Sequence, residues 1–153
     1  MPSHTIEEED KPCRACTDFK VWSKQQTKAT STPKPEPVKR TDCPLDKDEL
    51  GRSTWGFLHT MASYFPDKPT VKQSQDMKSF LQIFAQFYPC EPCALDFQED
   101  IQKHPPKTKS RDELAKWLCD RHNTVNIKLG KPSYDCSKVH ERWRDGWPDG
   151  SCD

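Results

Sequence analysis

From Asp46 onward, apolar residues recur at spacings of three to five, which is typical of amphipathic helices. The first predicted helix starts at Asp46-x-x-Glu49, which resembles a capping box, and its apolar face consists of Leu50, Trp55, Leu58, Ala62 and Phe65. The second starts at Thr70-x-x-Gln73 and runs to Pro89, with an apolar period formed by Met77, Phe80, Leu81, Phe84, Phe87 and Tyr88. These two stretches predict a pair of amphipathic helices.

Three further helices are predicted to follow. The third begins around Cys90 to Pro92 and ends before His104, with Ala94, Phe97 and Ile101 buried. Ser110-x-x-Glu113 starts a fourth helix that stops at Gly130 and Pro132 and has one face formed by Leu114, Trp117, Leu118, Val125 and Leu129. A short fifth helix is expected over Ser137 to Trp143. Because no segment alternates with a period of two, we predict an all-α fold, a four-helix bundle plus a short fifth helix.

The first 42 residues have a different composition. They are acidic, then polar, then rich in proline, lysine and threonine, and the overall hydrophobic fraction of 32% is too low for the whole chain to be buried. We therefore expect a flexible arm over residues 1–42 and a folded domain over residues 43–153. The arm nevertheless carries Cys13-x-x-Cys16, followed by Phe19, Val21 and Trp22, an apolar island in an otherwise disordered composition.

Charge and hydropathy exclude several classes of function. Lysine plus arginine equals aspartate plus glutamate at 24 each, so no basic field indicates a nucleic-acid partner. No apolar run approaches the roughly 20 residues that cross a bilayer, and residues 1–20 lack the apolar stretch of a secretory signal. We expect a soluble protein without a cleavable targeting segment.

Eight cysteines in 153 residues are too many for an ordinary reduced protein and indicate disulfides or a metal. Cys90-x-x-Cys93 lies at a predicted helix N-terminus, where the helix dipole stabilises a thiolate, and its spacing suits dithiol exchange. One alternative is a zinc site shared with Cys13 and Cys16, although the two pairs stand far apart in sequence. A thioredoxin domain is disfavoured because no strands flank the motif.

The other cysteines and the polar side chains leave more than one interpretation open. A disulfide between Cys119 and Cys136 would staple the chain that leaves the fourth helix back onto it, whereas Cys43 and Cys152 could pair within a chain or across a dimer. Cys119, His122 and Asn126 form one stripe, for which a solvated helix edge is the default. Trp55 and His59 stand four residues apart, and core packing is the default for Trp55. No G-x-G-x-x-G motif exists, so a nucleotide cofactor would be held by side chains.

Three separated motifs change this picture. The runs Leu50 to His59 (LGRSTWGFLH), Phe87 to Cys93 (FYPCEPC) and His122 to Pro132 (HNTVNIKLGKP) closely resemble the Erv and augmenter-of-liver-regeneration family of sulfhydryl oxidases. The resemblance spans residues 42–153. It also reaches the arm, where Lys11 to Cys16 (KPCRAC) resembles the long form found in that family, although the Pro-rich linker here differs in length.

The resemblance implies an FAD held noncovalently inside the bundle, and no metal. The stripe of Cys119, His122 and Asn126 would then line the cofactor pocket and would not be a solvated helix edge. The positions that match the family's flavin contacts are Gly51, Arg52, Trp55, His59, Tyr64, Cys119, His122, Asn123, Val125, Asn126, Lys128, Lys131, Tyr134, Arg142 and Trp143. It further implies that Cys119–Cys136 is structural, that Cys43 and Cys152 link two subunits of a homodimer, and that Cys13 and Cys16 form a shuttle disulfide.

The activity implied is disulfide generation. Electrons from a substrate dithiol would pass through Cys13 and Cys16 to Cys90 and Cys93, with Cys90 attacked first and Cys93 nearer the flavin, and then to oxygen or cytochrome c. The implied partner is a thiol oxidoreductase of the mitochondrial intermembrane space. The implied location is that compartment, with cytosolic or secreted forms as further options. A zinc-stabilised or growth-factor-like noncatalytic module is the alternative.

Overall fold

The computed structural model describes residues 40–153, so Cys13, Cys16 and most of the predicted arm lie outside the described residues. Four helices follow one another: α1 is Lys47–Ser63, α2 is Val71–Phe87, α3 is Glu91–Lys103 and α4 is Arg111–Lys128. Residues 40–153 contain no strand. The predicted helical class is confirmed for this part of the chain.

Three of the four helices begin at the capping residues that the sequence predicts. Asp46 Oδ1 accepts a hydrogen bond from the Glu49 backbone N–H at 2.8 Å, and Glu49 Oε2 accepts from the Asp46 N–H at 3.1 Å. Thr70 and Gln73 make the same reciprocal pair at the start of α2, and Ser110 Oγ accepts from the Glu113 N–H at 3.2 Å. Each cap satisfies backbone donors that the helix itself leaves unpaired.

The helices pack mainly in two pairs, α1 on α4 and α2 on α3. The core between them is formed chiefly by Leu58, Ala62, Phe65, Leu81, Ala85, Ile101, Leu114, Trp117, Leu118 and Val139. Where the helices end, buried side chains satisfy loop carbonyls: Arg111 Nε donates to Phe65 O at 2.7 Å and Trp117 Nε1 donates to His104 O at 3.0 Å. None of the helices within residues 40–153 is long and apolar enough to cross a membrane.

The short fifth helix expected over Ser137 to Trp143 is confirmed as a helical stretch over residues 136–145, but its winding is not uniform. It starts as a 3-10 turn at Cys136–Lys138 and ends as a π-helical turn at Glu141–Asp145. The Asp135 carboxylate accepts from the Ser137 backbone N–H at 3.0 Å, which tightens the first turn, and Gly146, with φ of +80°, ends the second. The π turn packs against α1.

Not every residue on the predicted apolar faces is buried. Leu129 caps the C-terminus of α4 and is 51% exposed, and on α2 only Leu81 and Ala85 are fully buried. Phe80, Ile83 and Phe87 of α2 are exposed and recur at spacings of three and four. They therefore form an apolar stripe on one helix face, which we call the α2 stripe.

Candidate functional site

A cleft of about 900 Å³ opens between α1, α4, the N-terminal half of α3 and the segment that follows α4. Its size falls in the range of roughly 300–1,000 Å³ typical of cofactor and small-molecule sites. Within residues 40–153 it brings together side chains that are more than 90 positions apart in sequence, from Lys47 to Trp143. The helix pairing described above creates this space because α1 and α4 form one wall and α3 forms part of another.

Aromatic rings dominate one part of the cleft. The Trp55 ring stacks on His122 with centroids 4.1 Å apart and an interplanar angle of 5°. The Trp143 ring stacks on His59 at 4.8 Å and 6°. His59 Nε2 and His122 Nδ1 lie 2.9 Å apart, so one imidazole donates a hydrogen bond to the other. The result is a rigid double layer of four rings, which offers flat apolar faces to a planar ligand.

Both imidazoles of this pair are held neutral. Burial lowers the pKa of His59 to about 3, with contributions from His122 and from the Arg142 guanidinium. Burial likewise lowers the pKa of His122 to about 4, helped by the Lys131 ammonium. The contact itself excludes double protonation, since two imidazolium rings would set two N–H donors against each other.

Basic side chains surround the rings. Two acidic side chains, Asp48 and Asp96, also line the cleft, but the basic ones outnumber them: Lys47, Arg52, Lys128, Lys131 and Arg142. The Arg142 guanidinium carbon lies 4.5 Å from the centre of the Trp143 ring, a cation–π contact. The excess of positive charge favours a ligand that carries phosphate groups.

Asn123 of α4 holds the outer wall of the cleft through two hydrogen bonds. Asn123 Oδ1 accepts from the Tyr134 backbone N–H at 2.8 Å, and Asn123 Nδ2 donates to Tyr134 O at 2.9 Å. The Cys119–Cys136 disulfide, with an S–S distance of 2.05 Å, ties the same segment to the middle of α4. The segment from Lys131 to Cys136 is thus fixed against α4 at both ends.

A second disulfide, Cys90–Cys93, lies at the N-terminus of α3. Cys90 is the N-cap residue and is fully buried, whereas Cys93 is partly exposed and lines the cleft. The neighbouring Tyr88 also lines the cleft, where burial raises the pKa of its phenol and a hydrogen bond with the Thr54 side chain partly offsets that rise. One sulfur of the disulfide therefore opens onto the same space as the paired rings and the cations.

The structure brings nearly all of the candidate cofactor-binding residues to this cleft. It is lined by Gly51, Arg52, Trp55, His59, Cys119, His122, Asn123, Val125, Asn126, Lys128, Lys131, Tyr134, Arg142 and Trp143. Tyr64 is not brought there: it is the C-cap residue of α1, it is 65% exposed, and it does not line the cleft. Five residues beyond His59, its side chain points about 140° away around the helix.

Some lining residues escaped the sequence analysis. Phe84 and Phe97 were expected only as core positions, and Asp48, Thr54, Tyr88 and Asp96 were not singled out as site residues. The helical period places Phe84 and Phe97 on inward faces, but a period cannot distinguish a packed face from the wall of a cavity. Cys43 and Cys152 are free and exposed, away from the cleft.

Known proteins resemble the chain in sequence. The sequence model of the Erv1 / Alr family matches residues 52–144. The mitochondrial FAD-linked sulfhydryl oxidase ERV1 of Saccharomyces cerevisiae is 48% identical over 104 residues, covering 68% of this chain and 55% of that protein. The FAD-linked sulfhydryl oxidase ERV1 of Arabidopsis thaliana is 45% identical, covering 65% and 52%. The chain thus spans about half the length of these two relatives. The mitochondrial FAD-linked sulfhydryl oxidase erv1 of Schizosaccharomyces pombe is 38% identical, covering 85% of each chain.

Solved structures agree with the sequence matches. The crystal structure of the yeast Erv1 core superposes with a TM-score of 0.69 at 46% identity, covering 74% of this chain and 97% of that one. The FAD binding domain of Erv1 from Saccharomyces cerevisiae superposes with a TM-score of 0.66 at 47% identity, covering 68% and 99%. The residues that the family model matches, 52–144, include most of α1, both disulfides of the cleft region and most of the π turn. By its sequence, its helical fold and the residues of its cleft, the chain belongs to the Erv1/Alr family.

Proposed function

We propose that this protein is an FAD-dependent sulfhydryl oxidase, which generates disulfides by removing two electrons from a dithiol. The observation that carries the proposal is the opening of Cys93, half of a Cys-x-x-Cys disulfide, onto a cleft built of stacked rings and cations. The names of the relatives agree with it.

The cleft fits FAD by its chemistry. FAD consists of two flat ring systems joined by a diphosphate, and the cleft offers flat ring faces at Trp55 and Trp143 beside the cations Arg52 and Lys131. We assign the holding of FAD to these residues and to the other predicted cofactor positions that line the cleft. When bound, FAD supplies a two-electron acceptor that can be reoxidised by oxygen or by cytochrome c.

The chain itself carries out the thiol exchange. A substrate thiolate attacks Cys90 Sγ, a mixed disulfide forms, and Cys93 leaves as a thiolate. The second substrate thiol then displaces Cys90, which releases the substrate disulfide and leaves Cys90 and Cys93 as a dithiol. Both residues lie at the N-terminus of α3, where the helix dipole and the free backbone N–H groups lower the pKa of a thiol. Since Cys90 is fully buried, the attack requires a local opening around the start of α3.

We also propose that the chain is divided into an arm, residues 1–42, and a sulfhydryl oxidase domain, residues 43–153. Cys13 and Cys16 act as a shuttle disulfide between a protein substrate and Cys90–Cys93. The substrate is a thiol oxidoreductase, and the site of action is the mitochondrial intermembrane space. The names of the yeast relatives support a mitochondrial location, and the high cysteine content fits an oxidising compartment.

We also propose a homodimer linked by Cys43 and Cys152. Both thiols are exposed, and the α2 stripe exposes 53% of Ile83 and 77% of Phe87. Contiguous exposed apolar side chains of this kind mark interaction surfaces. A second copy of the chain would cover them.

Visible absorbance of the purified protein tests the proposal directly. We expect a flavin spectrum and stoichiometric FAD. Cys90→Ser and Cys93→Ser should each abolish oxidation of a small dithiol while FAD stays bound, because neither sulfur is needed to hold the rings. A colourless protein that contains stoichiometric zinc would support the noncatalytic, zinc-stabilised alternative and would rule out the oxidase.

The shuttle is tested separately with the double variant Cys13→Ser/Cys16→Ser. It should oxidise a small dithiol at the unaltered rate and lose oxidation of a protein dithiol, since only the large substrate depends on the arm. An equal loss of both activities would contradict the shuttle assignment and leave the assignment of Cys90–Cys93 intact.

A further inference from the structure

One carboxylate in the cleft has no part in the proposed function. Asp96 lies on α3, three residues and almost one turn beyond Cys93, and it forms an ion pair with Lys128, the last residue of α4. Both side chains line the cleft and both are partly exposed, at 42% and 50%. The pair therefore joins α3 to α4 within the lining of the cleft.

Lys128 differs in this respect from the other cleft cations. Among residues 40–153, no carboxylate lies within ion-pairing distance of Lys47, Arg52, Lys131 or Arg142. Within residues 40–153 no carboxylate balances their charges, whereas Asp96 balances that of Lys128. Besides being a predicted cofactor position, Lys128 therefore joins α4 to α3 through its ion pair with Asp96.

The Asp96–Lys128 ion pair is one of two ion pairs between α3 and α4. One turn further along α3, Asp100 binds Arg121 of α4 with an Nη1–Oδ1 distance of 2.9 Å, and both side chains are only 13% exposed. Asp96 and Asp100 share a face of α3, and Arg121 and Lys128, two turns apart, share a face of α4. Because α3 packs mainly on α2 and α4 mainly on α1, these ion pairs tie the two helix pairs together beside the cleft.

We propose that Asp96 is a positioning residue: through Lys128 it holds the N-terminal half of α3 against α4 and so fixes the distance between Cys93 and the ring system bound in the cleft. Electron transfer from a sulfur to a ring requires contact, and a displacement of about 1 Å is enough to slow such a step strongly. The inference rests on the proposed function, since it requires a flavin in the cleft.

The Cys90→Ser protein provides a readout that does not depend on turnover. It leaves Cys93 as a lone thiol beside the flavin, and a thiolate in contact with an oxidised flavin gives a long-wavelength absorbance band. We normalise this band to the bound flavin. Adding Asp96→Asn should lower it at least about twofold because the helix is no longer held. Asp76→Asn is the matched control: it makes the same change of side chain but removes the ion pair with Lys72 within α2, outside the cleft lining, and should leave the band unaltered.

Exchange of the two charges separates positioning from a general effect of charge. The double variant Asp96→Lys/Lys128→Asp restores an ion pair in the opposite sense and should restore the band per bound flavin, whereas Lys128→Met alone should lower it as Asp96→Asn does. The inference is overturned if Asp96→Asn alters the band no more than Asp76→Asn, or if the exchange restores nothing. If the Cys90→Ser protein binds no flavin at all, the proposed function fails instead.

Discussion

At the scale of single residues, the hydrogen bond between His59 and His122 decides the character of the cleft. His59 is only 3% exposed, and the Trp143 and Trp55 rings each stack on one imidazole of the pair. Neighbouring cations and burial make a charged imidazole costly at this place. The pair therefore behaves as an extension of the aromatic surface and not as a pair of charges.

We predict that this pair makes the protein sensitive to mild acid. The folded pKa values of about 3 and about 4 lie below the ordinary value of 6.5 that the unfolded chain has. Below pH 6.5 the unfolded state thus binds more protons than the folded state, and the free energy of unfolding falls as the pH is lowered towards 4. The thermal midpoint should be lower at pH 5 than at pH 7, and the imidazole NMR signals of both histidines should remain those of the neutral ring at pH 5.

His122→Gln, which takes up no proton, should make the pH dependence of the midpoint shallower. His104→Gln is the control for the loss of a histidine, since His104 is exposed at the end of α3, outside the cleft. Titration of either His59 or His122 near pH 6.5 would contradict the prediction.

At the scale of elements, capping and cross-linking set where the walls of the cleft stand. α1 starts at Asp46 through a reciprocal pair of hydrogen bonds, and α4 is tied to the segment after it by the Cys119–Cys136 disulfide. Both features are local in sequence. The cap fixes the start of α1, and the disulfide fixes the segment after α4 against the middle of that helix. Both helices and that segment contribute side chains to the cleft.

Loss of the α1 cap should cost stability. Asp46→Ala leaves the Glu49 backbone N–H without its acceptor, and we expect the free energy of unfolding to fall by about 1 kcal/mol in urea titrations. Asp46→Asn should lose much less, because the amide oxygen can still accept that hydrogen bond. Equal losses in the two variants would show that the negative charge at the helix start, and not the hydrogen bond, is what matters.

Removal of the Cys119–Cys136 disulfide should affect both stability and cofactor retention. We expect Cys136→Ser to lower the free energy of unfolding by about 3 kcal/mol, because a loop of this length is no longer closed in the unfolded chain. Flavin should also dissociate faster, since the segment from Lys131 to Cys136 forms the outer wall.

The control is the double variant Cys119→Ala/Cys136→Ala, which removes the disulfide without leaving a buried lone thiol at Cys119. Both variants are compared by urea unfolding and by flavin release. Unaltered stability in both variants would be the contrary result.

At the scale of the whole molecule, the surface away from the cleft has its own pattern. The α2 stripe, formed by Phe80, Ile83 and Phe87, and the exposed thiols Cys43 and Cys152 lie outside the cleft lining. An apolar helix face and two free thiols are unfavourable surfaces for an isolated chain. A partner of the same sequence would account for both.

We predict that electrophoresis without reductant shows a band at twice the chain mass of 17.8 kDa. In a symmetric dimer each Cys43 faces a Cys152 of the other copy, so Cys43→Ser alone should remove both links and the band. Gel filtration should still show a dimer for Cys43→Ser, whereas adding Phe87→Glu should give monomers. Survival of the cross-linked band in Cys43→Ser would disprove this pairing.

The sequence by itself determined the helices and their starting points, because caps such as Asp46 and Thr70 and the helical period are local signals. The family resemblance of its separated motifs also identified half of the residues that line the cleft. Only the tertiary structure decided the rest. It brought His59 and His122 into one hydrogen bond, gave the short fifth helix a 3-10 start and a π end, left Tyr64 outside the cleft, and set Asp96 against Lys128. The His59–His122 and Asp96–Lys128 contacts join residues that are far apart in sequence. Such contacts depend on how the helices pack, and a periodic pattern within one helix does not predict them.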